Sequence, residues 1–447
     1  PGAGKTHTFQ AAAEKENVQC RSVRTFLTFA ESRSFGEPVY LDGLDEFRSR
    51  EQGNNLIIGL INLLEKQGRP SIRLSCRGAD WLGESDLSLF KDFFDKEPYV
   101  VLNLEPLADE EITSILQTKN ISAPRRFIAE VQSRNLQDLL KNPQTLIMLA
   151  KIVLKDRWPD TRKDLYEKFC QLLLTEHNKE HQKTKGKRYS PEDLFESAGE
   201  VAACLLISNI PGISLLEYPD SSEFPSYTTL GSPQKDIIQS CLMRRFFTFI
   251  DPANEAVSYI HRTIVEFLGA CWLAQKIKAG HSILRIQSLI GIEGHPAPEL
   301  RGLHAWLPVL HPKDAEFFIR HDPYGVLKYG DAASLSPSHR NFLLSELVSL
   351  SQIDPLFRQD DWSDRSLGSL SGSDMVDSFR EILSDPASTF QLRSLVLDAI
   401  CYGTPLPQMW NDLKRIVGDS AASYHERATA VDALLRVASG DQELVEI

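Results

Sequence analysis

The sequence predicts an α/β domain built on a parallel sheet, followed by a long helical remainder. Residues 1–105 alternate short apolar runs with helical stretches, the pattern of strands joined by crossover helices. From about Leu107 that alternation ends, no further strands are expected, and helical periodicity takes over. A chain of 447 residues, 42% hydrophobic and 25% charged, suffices for about three domains, each with its own core. Gly (25) and Pro (24) are close to ordinary usage, which excludes a collagenous or wholly disordered chain. A net charge of −12 argues against a general polyanion binder. No apolar run approaches the roughly 20 residues that span a bilayer, so no membrane span is expected.

In chain order, a helix is expected after Lys5, through FQAAAEKE. Strands are expected at Val18–Val23, Pro38–Leu41, Ser71–Ser75 and Tyr99–Leu104, with NNLIIGLINLLEKQG as an intervening helix. EPLADEEITSILQ starts a helix whose first-turn acids complement the macrodipole, and LLKNPQTLIMLAKIVLK continues the helical pattern. Lys179–Asp193 reads as a solvated basic loop, with a nucleic-acid patch as the alternative. Leu215–Pro233, rich in Ser, Pro and Thr, reads as a loop or insertion. SYIHRTIVEFLGACWLAQKIKAG reads as one apolar helix capped by Gly280. In the last third, RSLVLDAI (Arg393–Ile400) and RATAVDAL (Arg427–Leu434) share R-x-x-x-x-D-A-[IL] at an offset of 34 (427 − 393), an echo that suggests stacked helical hairpins. The seven cysteines form no C-x-x-C pair and lie mostly in apolar surroundings, as reduced core thiols of a cytoplasmic protein would.

Three motifs carry chemistry. Pro1-Gly2-Ala3-Gly4-Lys5-Thr6 fills the end of G-x-x-x-x-G-K-[ST], a phosphate-binding loop. Its glycines let backbone N–H groups close around phosphate oxygens at a helix N-terminus, while Lys5 reaches the β- and γ-phosphates and Thr6 offers its hydroxyl to Mg²⁺. The chain opens inside this motif, whose first Gly falls before Pro1. The expectation is therefore a longer protein, with an effector domain upstream. PVYLDGLDEFRSR is an apolar strand ending in carboxylates: Asp42 suits Mg²⁺, and Asp45 and Glu46 can orient or deprotonate an attacking water. SIRLSCRGADW is a strand ending in Arg77, which either senses the γ-phosphate or pairs with an acid such as Asp80 or Glu84.

PGAGKT, then LDGLDE, then a strand ending in Arg resembles the NACHT group of STAND-class P-loop NTPases. LLKNPQTLIML resembles that family's Asn-Pro-containing helical domain, and YIHRTIVEFLGACWLA the His-Arg-x-x-x-Glu-Phe-Leu-x-Ala helix of its winged-helix domain. Roughly residues 1–280 are covered. The resemblance implies a P-loop NTPase core at 1–106 with its first strand missing, a small helical domain at 107–156 and a winged-helix domain at 157–280; the helical pattern and its echo add an all-α, repeat-like sensor region at 281–447. The resemblance implies Pro143 near the adenine and His261 approaching the β-phosphate of ADP in a closed resting state; the alternative for His261 is a histidine with a local structural partner. It further implies an ATP/ADP switch with Mg²⁺, slow hydrolysis, capture of an activating protein or nucleic acid, and homo-oligomerisation, as in antiviral defence. Two rivals stand beside it: an ATP-gated winged-helix DNA-binding regulator, and a helical-repeat scaffold with a vestigial NTPase.

Overall fold

The computed structural model describes residues 5–28, 38–44, 53–75, 90, 93–94, 100, 102, 104–133, 136–156, 158–174, 189–219, 223–231, 235–244, 246–251, 255–259, 261–359 and 364–438. Helix α1 (Lys5–Lys15) leads to strand β1 (Cys20–Ser22), helix α2 (Val23–Thr28), strand β2 (Val39–Asp42), helix α3 (Gly53–Lys66) and strand β3 (Ile72–Leu74). The three strands pair in parallel in the order β1-β2-β3, with Ser22 opposite Asp42 and Tyr40 opposite Arg73. In β2 three consecutive residues, Val39, Tyr40 and Leu41, are buried, which requires cover on both faces of the sheet. Helix α3 turns Ile57, Leu60 and Leu64 into that core at helical spacing, where they join Val23, Phe26, Leu44, Phe90 and Phe93.

The strands are shorter than expected at both outer positions. β1 stops at Ser22 because Ser22 Oγ accepts the Thr25 N–H (3.1 Å) and starts a helix at Val23. The run 99–104 is not a strand at its described positions: Val100, Leu102 and Leu104 have no regular structure and are largely exposed.

Helices α4 (Asp109–Thr118), α5 (Pro124–Ser133), α6 (Pro143–Asp156), α7 (Arg162–Leu174) and α8 (Pro191–Ile207) follow. The acids expected at the start of α4 are there, and Glu111 Oε2 accepts the Ala108 N–H at 2.9 Å. The expected end of strands near Leu107 does not hold. Strand β4 (Ile213–Ser214), helix α9 (Lys235–Leu242) and strands β5 (Phe247–Asp251) and β6 (Ala256–Tyr259) form an antiparallel sheet of order β4-β6-β5. Ser258 and Tyr259, expected in a helix, belong to β6; helix α10 (Arg262–Lys278) begins three residues later. It ends as expected, with Gly280 at φ 97°.

Helix α11 (Ile283–Ile290) runs into a hairpin of β7 (Gly291–Ile292) and β8 (His295–Pro296), so the C-terminal region is not all-α. Glu293 (φ 52°) and Gly294 (φ 89°) make the two-residue turn, and a Cβ on Gly294 would strike the His321 ring. The rest is helical: α12 (Arg301–Ala305), α13 (Leu307–Leu310), α14 (Ala315–His321), α15 (Pro323–Tyr329), α16 (Pro337–Ile353), α17 (Val376–Ser384), α18 (Phe390–Tyr402), α19 (Trp410–Gly418) and α20 (Tyr424–Val437). The period of 34 extends well beyond the two short echoes. The pair α17–α18 is repeated by α19–α20, with matching 3₁₀ turns at Ser373–Met375 and Pro407–Met409. Asp385 and Asp419 take the same turn hydrogen bonds, from Ala387 N–H and Ala421 N–H, and Thr389 and Ser423 cap the second helices.

The chain forms two compact units: 1–119 with 139–149 and 210–260, and 120–138 with 150–209 and 261–447. The first holds both three-stranded sheets; the second holds the aromatic and helical cores described below.

Candidate functional site

Of the residues expected to bind nucleotide, the structure places five in the backbone: Lys5, Thr6, Asp42, Pro143 and His261. Lys5 and Thr6 lie in α1, just after the glycines of the run. Asp42 ends β2, the central strand of the parallel sheet, where strand backbone gives way to Gly43 in a left-handed turn (φ 79°). Pro143 is the first residue of α6, where its fixed φ suits the helix start and its missing N–H is no loss. Around it, Thr145 Oγ1 donates to Leu139 C=O (2.5 Å) and to Asn142 C=O (3.1 Å), while Asn142 C=O takes the Leu146 N–H at 3.0 Å. That network locks the Asn-Pro junction, in the same compact unit as α1 and β2. His261 precedes α10 in extended conformation (φ −131°, ψ 119°) and belongs to the other unit; its imidazole does not cap the helix, and its C=O accepts the Val265 N–H at 3.3 Å.

The expected roles of Pro1, Gly2, Ala3, Gly4, Asp45, Glu46 and Arg77 fall on positions outside the described residues, as do the side chains of Lys5 and Thr6.

Sequence reasoning passed over Ser75. This buried serine follows β3, and its Oγ donates to Asp42 Oδ1 while accepting the Gly43 N–H at 3.0 Å. Its backbone continues the parallel ladder, with Ser75 N–H to Leu41 C=O at 2.9 Å and Leu44 N–H to Ser75 C=O at 3.1 Å. The carboxylate and the turn behind it are thus held from the neighbouring strand. A hydroxyl residue at the carboxyl end of the strand beside an Asp-ending strand was the available signal. Cys20, at the start of β1, feels the same carboxylate: burial first, then Asp42, raises its thiol above the usual range.

In the second unit the H-R-x-x-x-E-F-L-x-A run has a structural account. Arg262 Nε pairs with Glu266 at 2.9 Å, and its guanidinium also donates to Glu299 C=O. Burial raises the Glu266 carboxyl against the pull of Arg262. Phe267 packs with Tyr166 and Trp306, and Arg162 lies 5.5 Å from the centroids of both those rings while donating to Tyr329 C=O and Gly330 C=O. Gly269 lets α10 approach α8: a Cβ there would stand 3.2 Å from Ala203 N, and one on Gly199 only 2.8 Å from Leu268 C=O.

The six described cysteines are free thiols, and burial pushes Cys241 and Cys271 up to about 12 and Cys204 up to about 11. Such thiols stay protonated and unreactive near neutrality, in keeping with a packing role. Among the described residues no group of three His, Cys, Asp or Glu is arranged to hold a metal, and no helix is long and apolar enough to cross a membrane. No protein-family model and no curated protein matches the chain.

Proposed function

We propose that the chain acts as a nucleotide-switched signalling NTPase of the NACHT/STAND type. The observation that carries the reading is the pairing of two strand–helix features in one compact unit. The lysine of P-G-A-G-K-T lies in a helix, and a buried central parallel strand delivers Asp42 to its carboxyl end. Ligands of open α/β sheets gather at the carboxyl ends of the strands, and a helix N-terminus favours phosphate.

A resident Mg²⁺ fits this donor set. Mg²⁺ keeps several waters and takes one or two carboxylates together with phosphate oxygens, so a lone hard carboxylate suffices and no three-ligand cluster is needed. Asp42 and Thr6 would hold it, and when bound it neutralises phosphate charge. Lys5 would bind the β- and γ-phosphates, Glu46 with Asp45 would orient the attacking water, and Arg77 would meet the γ-phosphate. Pro143 would lie by the adenine, and His261 would approach the β-phosphate of ADP.

The chain order α8, β4, α9, β5, β6, with the last strand central in the sheet, supports a winged-helix region within 157–280. A duplex-binding role gains little from it: α9 carries Lys235 and Asp236, and the Lys235 ammonium is engaged by Leu230 C=O. In the switch reading, ADP holds a resting state, and a ligand captured by the C-terminal region favours exchange for ATP and homo-oligomerisation in the cytoplasm. Single-turnover hydrolysis tests the assignment. Glu46→Gln retains ATP binding and slows hydrolysis by about 100-fold or more, on the scale of a lost general base; an unchanged rate contradicts the role. His261→Ala speeds ADP release, and slower release contradicts its place.

A further inference from the structure

At the carboxyl edge of the parallel sheet, Ser75 holds four consecutive residues at the end of β2 and in the turn behind it. Its backbone N–H donates to Leu41 C=O (2.9 Å), and its hydroxyl donates to Asp42 Oδ1. The same hydroxyl accepts the Gly43 N–H (3.0 Å), and its C=O accepts the Leu44 N–H (3.1 Å). The two main-chain bonds continue the parallel ladder, and any residue but proline could make them. The two hydroxyl bonds need a short side chain that donates and accepts at once, which serine and threonine supply. Ser75 is 4% exposed, so neither bond competes with bulk water.

The strand on the other side of β2 offers a second hydroxyl. Ser22 ends β1 directly opposite Asp42 in the strand register. It is committed to its own helix start, with Ser22 Oγ 2.8 Å from Thr25 Oγ1 and accepting the Thr25 N–H at 3.1 Å. Two serines thus flank Asp42 across the sheet, and only Ser75 is hydrogen-bonded to its carboxylate among the described residues. The turn that Ser75 holds is anchored at its far side by Leu44, which is fully buried in the sheet core.

We infer that Ser75 is a positioning residue for the Mg²⁺ site: its hydroxyl fixes the orientation of the Asp42 carboxylate and the Gly43 turn behind it. The inference rests on the nucleotide-site reading above and deepens it. Mg²⁺ demands near-ideal octahedral geometry, so a ligand that wanders binds it poorly. Hydrogen bonds behind a metal ligand hold it in the productive orientation, and their loss weakens the metal although no ligand is removed. Ser75 acts in this way through Asp42 and touches neither ion nor nucleotide itself.

Two measurements on the full chain test it, with Ser75→Ala set against Ser22→Ala, the matching change on the other flanking strand. The first needs no ligand. In Ser75→Ala the Gly43 amide exchanges faster by about tenfold, the scale of one lost hydrogen bond, while the Leu44 amide, held by a backbone C=O, keeps its protection. The second is the ratio of ATP affinity in MgCl₂ to that in EDTA. In Ser75→Ala this ratio falls by about 10-fold or more, while affinity in EDTA stays within about threefold of the wild type. Ser22→Ala keeps the wild-type ratio, and so does Ser75→Thr, which retains the hydroxyl. Unchanged Gly43 exchange in Ser75→Ala, or an equal fall of the ratio in Ser22→Ala, overturns the proposal. So does an affinity in EDTA that falls as far as the ratio, since that marks a merely structural role. A wild type indifferent to Mg²⁺ overturns the nucleotide-site reading and this proposal together; a responsive wild type beside an unshifted Ser75→Ala chain overturns this proposal alone.

Discussion

The strand-bearing first unit and the hairpins of the C-terminal region encode information in opposite ways. In the first, a few residues of fixed type, Lys5, Thr6, Asp42 and Glu46, carry the proposed chemistry, and Asp42 ends the central strand of a sheet of three short strands. In the hairpins no residue declares a chemistry, yet caps, turns and helix starts return every 34 residues. Motifs thus specify what a site does before its geometry is known. Repeats specify geometry and leave the ligand open.

The costliest single substitution is expected in the C-terminal helical region. Arg358 and Asp398 form an ion pair with both side chains fully buried, and burial raises the Asp398 carboxyl against the pull of Arg358. Asp398→Ala strands the guanidinium in the core and is expected to cost about 3–5 kcal/mol in denaturant unfolding. A cost below about 1 kcal/mol would mean that the pair is not a core element.

Acid comes next. The His304 side chain is fully buried on α12, its ring edge-on to Phe318 at 5.7 Å, and burial holds its pKa down at about 4. Facing it are Asp322, which favours the charged form, and His321, Arg301 and His295, which oppose it. The folded pKa lies below the unfolded value of about 6.5, so the fold binds fewer protons than the unfolded chain. Stability is therefore unpenalised above about pH 6.5 and is lost as pH falls toward 4, by about 3 kcal/mol in all. His304→Phe flattens this part of the pH profile; an unchanged acid slope would assign it to other groups.

The smallest effect separates the two hairpins. Ser423→Ala removes a full capping box and is expected to cost about 1–2 kcal/mol, whereas Thr389→Ala removes a single cap and costs about 1 kcal/mol or less. The reverse order, in urea unfolding, would deny the box its role.

How much was legible in the sequence follows the same contrast. β2 could be read because three successive buried residues leave no period-2 ambiguity, and the motif placed Asp42 at its end. Val100, Leu102 and Leu104 are spaced as a strand would space them, but they pair with no strand among the described residues. The β5–β6 hairpin was overlooked although Asp-Pro-Ala-Asn separates its two apolar runs; the following helix motif drew Ser258 and Tyr259 into the wrong element. The Glu-Gly turn of β7–β8 was short enough to vanish among helices. Ser75 carries no motif of its own, because its contact with Asp42 depends on strand register. Of the hairpin repeat, only the most similar stretch was visible; equivalent caps such as Asp385 and Asp419 emerged from their hydrogen bonds.

The proposed switch requires the first unit to bind a nucleotide through Lys5 and Asp42. Calorimetric titration of ADP and ATP, with and without Mg²⁺, tests it most directly on the wild-type chain and its Lys5→Ala and Asp42→Asn variants. The wild type is expected to bind, with a loss of at least 100-fold in affinity on Lys5→Ala and loss of the Mg²⁺ dependence on Asp42→Asn, since each removes a charged partner of the phosphates or the ion. An unchanged affinity in the Lys5→Ala chain would contradict it.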